Sequence, residues 1–360
     1  MVFLDFEKAF DQIEWEFMDE TLDCLNFGSH FRQVISTMYK NVTSCVINNG
    51  YSSEFFQLQR GVRQGCPLSA LLFIIVGEIL AQKIIHDTHI SGIKINDQEI
   101  KITQLADDTT LFLNDTPSLH KCLKILKDFE QCSGLRLNYT KTEVLPIGIN
   151  NNVNNIPLKV VQQTSSLGIK YSDNINTIIQ NNYTQKVEDI KKTLNTWKRR
   201  QLTLSGKNTI IKTLIVPKIN HVVANISTPD WFIDEIQTLI QSFLWNNKRP
   251  KIKNKVLMNT KERGGIRFPD IALIVKSQKI SWIKRMINQP KSPWMQLLLT
   301  HLPNIDIKDL LKCSIKNFDL LTDIPSFYKQ ILMEWFACKT EPSDVIDIRR
   351  EIIWFNNHIQ

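Results

Sequence analysis

The spacing of apolar and polar positions divides the chain into a mixed first part and a helical second part. Residues 2–5 form a short apolar run typical of a buried strand. Apolar positions then recur at helical spacing from about Lys8 to Leu25 and from about Ser29 to Tyr39. The segments on either side of Asn49-Gly50 alternate between apolar and polar residues, which predicts a β-hairpin.

The next elements complete the pattern of the first part. Pro67 to His86 is a long apolar stretch that predicts a buried helix with proline in its first turn. A second hairpin is predicted about Asn96-Asp97, and its second strand leads into Leu105-Ala106-Asp107-Asp108. An amphipathic helix is predicted from Pro117 to Cys132. The order β–α–ββ–α–ββ–α predicts an α+β fold, with helices on one face of an antiparallel sheet.

Beyond this region the strand signals end. Asn150 to Asn155 is rich in asparagine and is the best candidate for a linker. From Tyr183 to Gln289 the chain is mostly helical, and the tail from Ser292 to Gln360 also has a helical pattern but no motif. Breaks in the helical region are predicted at Pro217, Pro229, Pro250 and Gly264-Gly265.

The net charge of +8 is unevenly distributed. Residues 181–290 contain 21 Lys and Arg against 7 Asp and Glu, whereas the rest of the chain has 23 against 29. A basic second part suits the binding of a nucleic-acid backbone. The alternative is that these lysines only solvate the faces of helices.

Cysteine usage and hydropathy exclude several classes of protein. The seven cysteines are an odd number, widely spaced and without a Cys-x-x-Cys pair, which argues against a disulfide framework and a zinc knuckle. We therefore expect reduced thiols and an intracellular protein, in the nucleus or the cytoplasm. The apolar run from Ala70 to Val76 is short and is followed by Gly77-Glu78, so no membrane span is expected. No secretory signal precedes it.

Two aspartate motifs carry the candidate chemistry. Asp107-Asp108 lies between two strand-like runs, and Asp5 ends the first strand. Adjacent carboxylates at a hairpin tip are costly unless a cation binds there, although Asp-Asp is also an ordinary turn. Strand-end aspartates from different parts of one sheet can share two divalent ions, as nucleotidyl transfer requires.

Between these motifs lies a loop that runs into the long apolar helix, with the sequence RGVRQGCPLSALLF from Arg60 to Phe73. A strand aspartate, this loop and the sequence LADD, in that order, resemble the palm of reverse transcriptases of LINE-type non-LTR retrotransposons. The resemblance continues through GLRLNYTKT, residues 134–142, and LGI, residues 167–169. It extends to Trp197, Pro217 and the sequence GGIRFPD at residues 264–270. Roughly three quarters of the chain is covered.

The resemblance implies roles for particular residues. Asp5 and Asp107 correspond to the carboxylates that hold two Mg²⁺ ions, and Asp108 corresponds to the neighbouring carboxylate. Hard oxygen ligands suit that ion. Asp11 is close to Asp5 in sequence but is expected to cap the following helix. Phe10 corresponds to the aromatic residue that excludes a ribose 2′-hydroxyl, with core packing as the alternative.

Further roles concern the nucleotide and the primer. Gln64, Gly65 and Arg63 correspond to the nucleotide-binding loop, and Lys141 to a lysine near the leaving pyrophosphate. Arg63 and Lys141 could equally be solvated surface residues. Leu167-Gly168 corresponds to the primer-grip turn.

The family's reaction implies an RNA template, a DNA primer and deoxynucleoside triphosphates as partners. Three domains are predicted: a palm over residues 1–150, a primer-grip turn and basic helical thumb over 151–290, and a helical C-terminal extension over 291–360. The expected activity is that of an RNA-directed DNA polymerase. The alternatives are a silent remnant that only binds nucleic acid, or an intron-maturase-like protein.

Three departures from the family pattern affect these expectations. Leu105 replaces the usual aromatic residue before Ala-Asp-Asp, and Ala70 replaces a proline. Met1 lies within the strand that carries Asp5, whereas the family's fingers precede that strand. We therefore expect an N-terminally truncated fragment with impaired activity.

Overall fold

The computed structural model describes residues 1–148, 156–302, 305–312 and 323–338. The chain forms two compact units, Met1–Asp173 and Asn174–Gln360. The predicted linker, Asn150 to Asn155, lies outside the described residues. The division of the chain into three domains at residues 150 and 290 stays a prediction.

The first unit contains strands and helices in alternation, as the α+β prediction requires. Its helices are α1 (Ala9–Gln12), α2 (Trp15–Cys24), α3 (Ser29–Tyr39), α4 (Pro67–His86) and α5 (Thr116–Ser133). Its strands are β1 (Val2–Leu4), β2 (Thr43–Ser44), β3 (Ile47–Asn48), β4 (Tyr51–Ser52), β5 (Phe56–Gln57), β6 (Ile93–Ile95), β7 (Gln98–Ile100), β8 (Ile102–Leu105), β9 (Asp108–Leu111), β10 (Glu143–Val144), β11 (Lys159–Val160), β12 (Gln163–Ser166) and β13 (Ile169–Ser172).

A five-stranded sheet in the order β11-β10-β1-β9-β8 is the centre of this unit. All its neighbouring strands are antiparallel except β10 and β11, which are parallel. Val2 and Leu4 of β1 pack in a core with side chains of α2, α4 and α5. Side chains alternate between the two faces of a strand, and Phe3 therefore points away from this core, toward Tyr171 at 5.7 Å between ring centroids.

Among the described residues, four two-stranded sheets accompany the central sheet, and two of them are the hairpins predicted about Asn49-Gly50 and Asn96-Asp97. Asn49 and Gly50 both have positive φ, as a two-residue hairpin turn of type I′ requires. The helix predicted from about Lys8 to Leu25 is in fact two helices, because Ile13 and Glu14 between them are extended. Ile13 O accepts from Gly61 N–H and Glu14 N–H donates to Ser133 O, in place of the bonds that would join the two helices.

The long helix α4 has the predicted bounds but is buried on one face only. Leu72, Val76 and Leu80 lie in the core, whereas Leu71 and Ile74 are more than half exposed. The expectation of no membrane span rests on the short apolar run from Ala70 to Val76, and the helix continues through Gly77 and Glu78. By length and composition α4 is able to cross a membrane, but the core helix of a soluble protein passes the same test.

The second unit is helical throughout its described part. Its elements are α6 (Ile175–Lys198), α7 (Leu204–Ile210), a π-helical turn (Ile211–Ile215), α8 (Val216–Asn225), α9 (Asp230–Trp245), α10 (Asn254–Met258), a 3₁₀ turn (Lys261–Arg263), α11 (Ile271–Asn288), α12 (Pro293–Thr300), α13 (Ile307–Lys312) and α14 (Ser326–Cys338). The helix break predicted at Pro217 is wrong. The π turn widens the helix just before this proline, which accommodates its ring and its missing N–H.

Candidate active site

The pairing of β1 with β9 brings two of the predicted site aspartates to one end of the sheet. The register joins Phe3 to Thr110 and Leu4 to Thr109. Extended by one residue, it places Asp5 opposite Asp108. Side chains directly opposite each other on antiparallel strands point to the same face. The carboxylates of Asp5 and Asp108 therefore share one face at the end where β1 terminates.

The third aspartate lies at the tip of the neighbouring hairpin. Leu105 at the end of β8 pairs with Asp108 at the start of β9, which leaves Ala106 and Asp107 as a two-residue turn. Ala106 has φ of +55°, in the left-handed region that is uncommon for residues with a side chain. The turn exposes Asp107 to solvent beside Asp108.

The charges of these residues interact. Burial raises the pKa of Asp108, and the neighbouring negative charges of Asp107 and Asp5 raise it further. In the described part of the chain, no three His, Cys, Asp or Glu side chains are arranged to hold a metal ion. The three-carboxylate metal site therefore stays a prediction. The structure shows carboxylates close enough to repel one another.

The segment Gly134–Thr142 holds Asp5 in place from one side. Asn138 N–H donates to Asp5 O at 2.8 Å, and Asp5 N–H donates to Thr142 Oγ1 at 3.2 Å. Lys141 immediately precedes Thr142, and its side chain is exposed to solvent. Its predicted role near the pyrophosphate stays a prediction.

The loop before α4 is held against α1 by backbone hydrogen bonds. Val62 N–H donates to Phe10 O at 2.7 Å, and Gly61 N–H donates to Ile13 O at 2.8 Å. Gly61 has φ of +89°, and a Cβ atom there would lie 2.8 Å from Asp11 O. Only glycine fits this position. Asp11 lies inside α1 and makes no capping hydrogen bond, so its predicted role as a cap is wrong.

The predicted nucleotide-binding residues follow this fixed part of the loop. Arg63, Gln64 and Gly65 are all exposed. Gly65 has φ of +85° and open space around the position of a Cβ atom, so its backbone is accessible. The structure thus separates a tightly packed Gly61 from an accessible Gly65.

Phe10 lies between the core and this loop. Its ring stacks on Phe73 of α4, with 4.5 Å between centroids and 12° between planes. The side chain is half-buried and packs against the edge of the core. This contact agrees with the core-packing alternative and leaves part of the ring accessible, so the predicted sugar-excluding role is not tested by the structure.

Leu167 and Gly168 form the two-residue turn between β12 and β13. Both have positive φ, +49° and +75°, and the register joins Ser166 to Ile169 across the turn. The Leu167 side chain is nearly half exposed. The predicted primer-grip residues therefore lie at an accessible hairpin tip.

Two residues near the site were not identified from the sequence. Gly61 could have been identified from the sequence, because a glycine in a loop often marks a position that needs positive φ. Thr142 has none, because a buried threonine that accepts a hydrogen bond 137 residues away leaves no local pattern.

Comparison with known proteins gives an independent result. The family model described as "Reverse transcriptase (RNA-dependent DNA polymerase)" matches residues 1–213. The chain is 25% identical over 354 residues to the "Transposon TX1 uncharacterized 149 kDa protein" of Xenopus laevis, which covers 92% of the chain and 26% of that relative. It is 24% identical over 303 residues to the "Retrovirus-related Pol polyprotein from type-2 retrotransposable element R2DM" of Drosophila melanogaster, covering 78% of the chain and 28% of the relative.

A solved structure of telomerase from Candida albicans, in complex with a fragment of telomeric RNA, is also similar. It is 13% identical with a TM-score of 0.37, and the match covers 85% of this chain and 51% of that one. At this TM-score the similarity adds nothing to the assignment. The chain spans just over a quarter of the length of the two retrotransposon relatives, 26% and 28%.

Proposed function

The chain belongs to the reverse transcriptase family, and we propose that its first unit carries the nucleotidyl-transfer site of an RNA-directed DNA polymerase from a non-LTR retrotransposon. The observation that carries this proposal is the register between β1 and β9. It places Asp5 opposite Asp108 and next to the hairpin tip that presents Asp107. Three carboxylates from two distant parts of the sequence thus share one end of a sheet.

Reverse transcriptases generally use divalent metal ions. The residues present fit such an ion. Burial raises the pKa of Asp108, the charges of Asp107 and Asp5 raise it further, and a cation would relieve the repulsion among the three carboxylates. Mg²⁺ is commonly held by one or two carboxylates together with substrate phosphates and water, and a set of three protein ligands is not required. We assign Asp5 and Asp107 as those carboxylates. Two bound ions would stabilise the charge that develops on the transferred phosphoryl group.

The protein's own contribution is positioning. The backbone of Asp5 is held by Asn138 and Thr142, and the loop before α4 is held by Phe10 and Ile13. We propose that Gln64, Gly65 and Arg63 of this loop bind a deoxynucleoside triphosphate. In the same proposal, Phe10 excludes a 2′-hydroxyl and Lys141 contacts the leaving pyrophosphate. Fixed placement of reacting groups lowers the barrier without further chemistry.

The second unit offers a surface for the nucleic-acid backbone. Lys248 to Arg267, here called the basic segment, contains eight Lys and Arg and a single acidic residue, Glu262. None of the eight forms a salt bridge with a carboxylate that the structure describes. Burial lowers the pKa of Lys212, and the charges of Arg267 and Lys261 lower it further, so these cations are close together. We propose that this cluster binds the phosphates of an RNA template and DNA primer.

The test is primer extension on an RNA template with Mg²⁺, comparing Asp107→Asn with Asp97→Asn. Asp97 is a matched control because it occupies the same place in the turn of another hairpin, after a residue with positive φ. We expect Asp107→Asn and Asp5→Asn to abolish extension and Asp97→Asn to leave it unchanged. Equal extension by Asp107→Asn and Asp97→Asn would refute the assignment. Template binding without extension by the unmodified chain would favour the silent remnant.

A further inference from the structure

A cavity of about 290 Å³ lies between α2 and α3. Met18 and Ile35, which are both buried, form part of its lining, together with the rings of Trp15 and Tyr39. The two rings are in contact, with 5.5 Å between centroids and 45° between planes. An engineered cavity of about 150 Å³ lined by apolar side chains binds benzene. A cavity about twice that size has room for two fused aromatic rings.

The charged residues of the lining are Asp19 and Lys40, and their charges are opposite. Both oxygens of the Asp19 carboxylate already accept from Arg32, at 3.0 Å from Nε and 2.5 Å from Nη2. Lys40 is exposed, and a salt bridge with an exposed lysine adds little. A charged ligand of either sign would therefore lose hydration in the cavity without compensation. The lining favours a neutral ligand.

Trp15 connects the cavity to the loop before α4. Its indole Nε1–H donates to Gly61 O at 2.8 Å. Gly61 N–H and Val62 N–H donate to backbone carbonyls at either end of α1, so the same part of the loop is held at three points. A ligand packed against the Trp15 ring would restrict the motion of the ring and, through this hydrogen bond, the motion of Gly61. Residues 63–65 of this loop are those proposed to bind nucleotide.

We propose that this cavity is an effector site, which binds a neutral ligand of two fused aromatic rings and stiffens the loop before α4 through Trp15. Binding requires only the cavity, whereas an effect on nucleotide affinity rests on the proposed function of the loop. A loop that a first ligand has already ordered costs less to order for the second, so the ligand should raise the affinity for nucleotide. Nucleotide should raise the affinity for the ligand by the same factor.

Binding is measured with indole as the probe, by ¹⁹F NMR of the full chain labelled with 5-fluorotryptophan. The Trp15 resonance is assigned by its loss in Trp15→Phe. Indole should shift this resonance saturably, with a dissociation constant of about 1 mM or lower. Indole-5-carboxylate and 5-(aminomethyl)indole carry opposite charges, and each should bind at least about fivefold more weakly. The absence of a saturable shift, or a charged analogue that binds as tightly as indole, would overturn the proposal.

Two variants of α3 test where indole binds. Ser36 is an exposed member of the lining, so Ser36→Phe adds a ring that competes for the space without replacing a buried side chain. We expect the affinity for indole to fall at least about tenfold. Gln33→Phe is the matched control, because it makes the same kind of change at an exposed position of α3 outside the lining. Equal affinities for indole in the two variants would place the ligand elsewhere and contradict the proposal.

Amide hydrogen exchange tests the link to the loop. Saturating indole should slow exchange in the peptide that contains Gly61 and Val62 by at least about twofold. Trp15→Phe keeps a ring but lacks the indole N–H, so exchange in this peptide should no longer respond, while saturation-transfer NMR of indole should still show binding. An equal response in Trp15→Phe, or none in the unmodified chain, would overturn the link. These measurements use neither nucleotide nor polymerase activity, so this proposal and the proposed function can fail separately.

Discussion

The backbone N–H of Asp5 donates to the hydroxyl of Thr142 at 3.2 Å, although 137 residues separate the two in sequence. The Thr142 side chain is fully buried. Asn138 N–H bonds to the carbonyl of Asp5 as well, so both backbone polar groups of this aspartate are held by the same segment. The position of the Asp5 backbone therefore depends on a buried residue 137 positions away in the sequence.

Thr142→Val keeps the shape of the side chain and removes the hydroxyl. The unpaired N–H of Asp5 should then reduce the free energy of unfolding of the first unit by about 1–3 kcal/mol. Trp15 is the only tryptophan of residues 1–173, so ¹⁹F NMR of 5-fluorotryptophan-labelled protein in urea reports this unit alone. Thr142→Ser keeps the hydroxyl, so its free energy of unfolding should fall clearly less than that of Thr142→Val. Equal losses in the two variants would show that packing, and not the hydrogen bond, is responsible.

The charge of Asp108 predicts a pH dependence of stability. Its pKa is raised in the folded state, so the folded protein binds a proton at this site at higher pH than the unfolded chain does. Stability should therefore fall as pH rises from about 4 through the folded-state pKa of Asp108. Asp108→Asn removes this effect and should be more stable than the unmodified protein at pH 7.

Urea unfolding at pH 4 and pH 7 measures the difference. We expect the advantage of Asp108→Asn to be present at pH 7 and to shrink at pH 4, where more of Asp108 is protonated in the folded protein than in the unfolded chain. Added Mg²⁺ should reduce the advantage at pH 7, since a cation relieves the same repulsion. An advantage that is equal at both pH values would mean that the carboxylate charge is not its cause.

The stacking of Phe10 on Phe73 makes the two roles of Phe10 separable. Phe10→Ala should raise the ratio of ribo- to deoxynucleotide incorporation if the ring excludes the 2′-hydroxyl. Phe10→Tyr keeps the ring and should leave the ratio unchanged. Thermal unfolding of both variants measures the packing role, and a loss of stability with no change in the ratio would assign Phe10 to the core alone.

The sequence predicted those parts of the fold that depend on local patterns. The bounds of α3 and α4, and the turns at Asn49-Gly50 and Asn96-Asp97, follow from periodicity and turn chemistry over a few residues. The break at Ile13 was not predictable, because partners from residues 61 and 133 compete for its backbone groups and those of Glu14. Nor was the continuity of the helix through Pro217, since its π turn depends on packing within the second unit.

The site was partly predictable for the same reason. Asp5, Asp107 and Asp108 are marked in the sequence by their place at strand ends and by a family motif. Their convergence depends on the register of β1 with β9, which long-range pairing sets and no single segment encodes. The support from Thr142 and the fit of Gly61 against Asp11 are likewise long-range contacts.

The basic segment predicts how nucleic-acid binding responds to salt. The double variant Lys261→Ala, Arg267→Ala removes two cations of the cluster, and each lost phosphate contact should reduce the salt slope of the logarithm of affinity by about 1. We expect a slope smaller by about 2 and nearly the same affinity for unrelated sequences. Fluorescence anisotropy with a labelled primer–template at several salt concentrations measures both.

Lys191→Ala is the matched control, because Lys191 is a cation of the same unit that already pairs with Glu235 at 3.0 Å. The salt slope of the logarithm of affinity for Lys191→Ala should stay close to that of the unmodified chain. If Lys191→Ala and the double variant change the slope equally, binding depends on net charge and not on this cluster.

The last prediction concerns Lys279 of α11, which is fully buried in the second unit. Its ammonium donates to Ile226 O at 2.5 Å and lies 4.6 Å from the centre of the Phe327 ring. Burial lowers the pKa of Lys279 from 10.5 to about 7, although the carboxylate of Glu334 acts in the opposite direction. Between these two values the unfolded chain binds a proton that the folded protein does not.

Stability of the second unit should therefore rise with pH from about 7 toward 10. Lys279→Met should remove most of this rise. It should also be tolerated, since Tyr183 Oη still donates to Ile226 O at 3.1 Å. Lys276→Met on the same helix is the control and should keep the rise, because the pKa of Lys276 is raised, by contacts that include Cys338 and Glu334, despite its burial. Urea unfolding at pH 7, 8.5 and 10 measures the three proteins, and an equal rise in Lys279→Met and the unmodified chain would show that Lys279 does not titrate in this range.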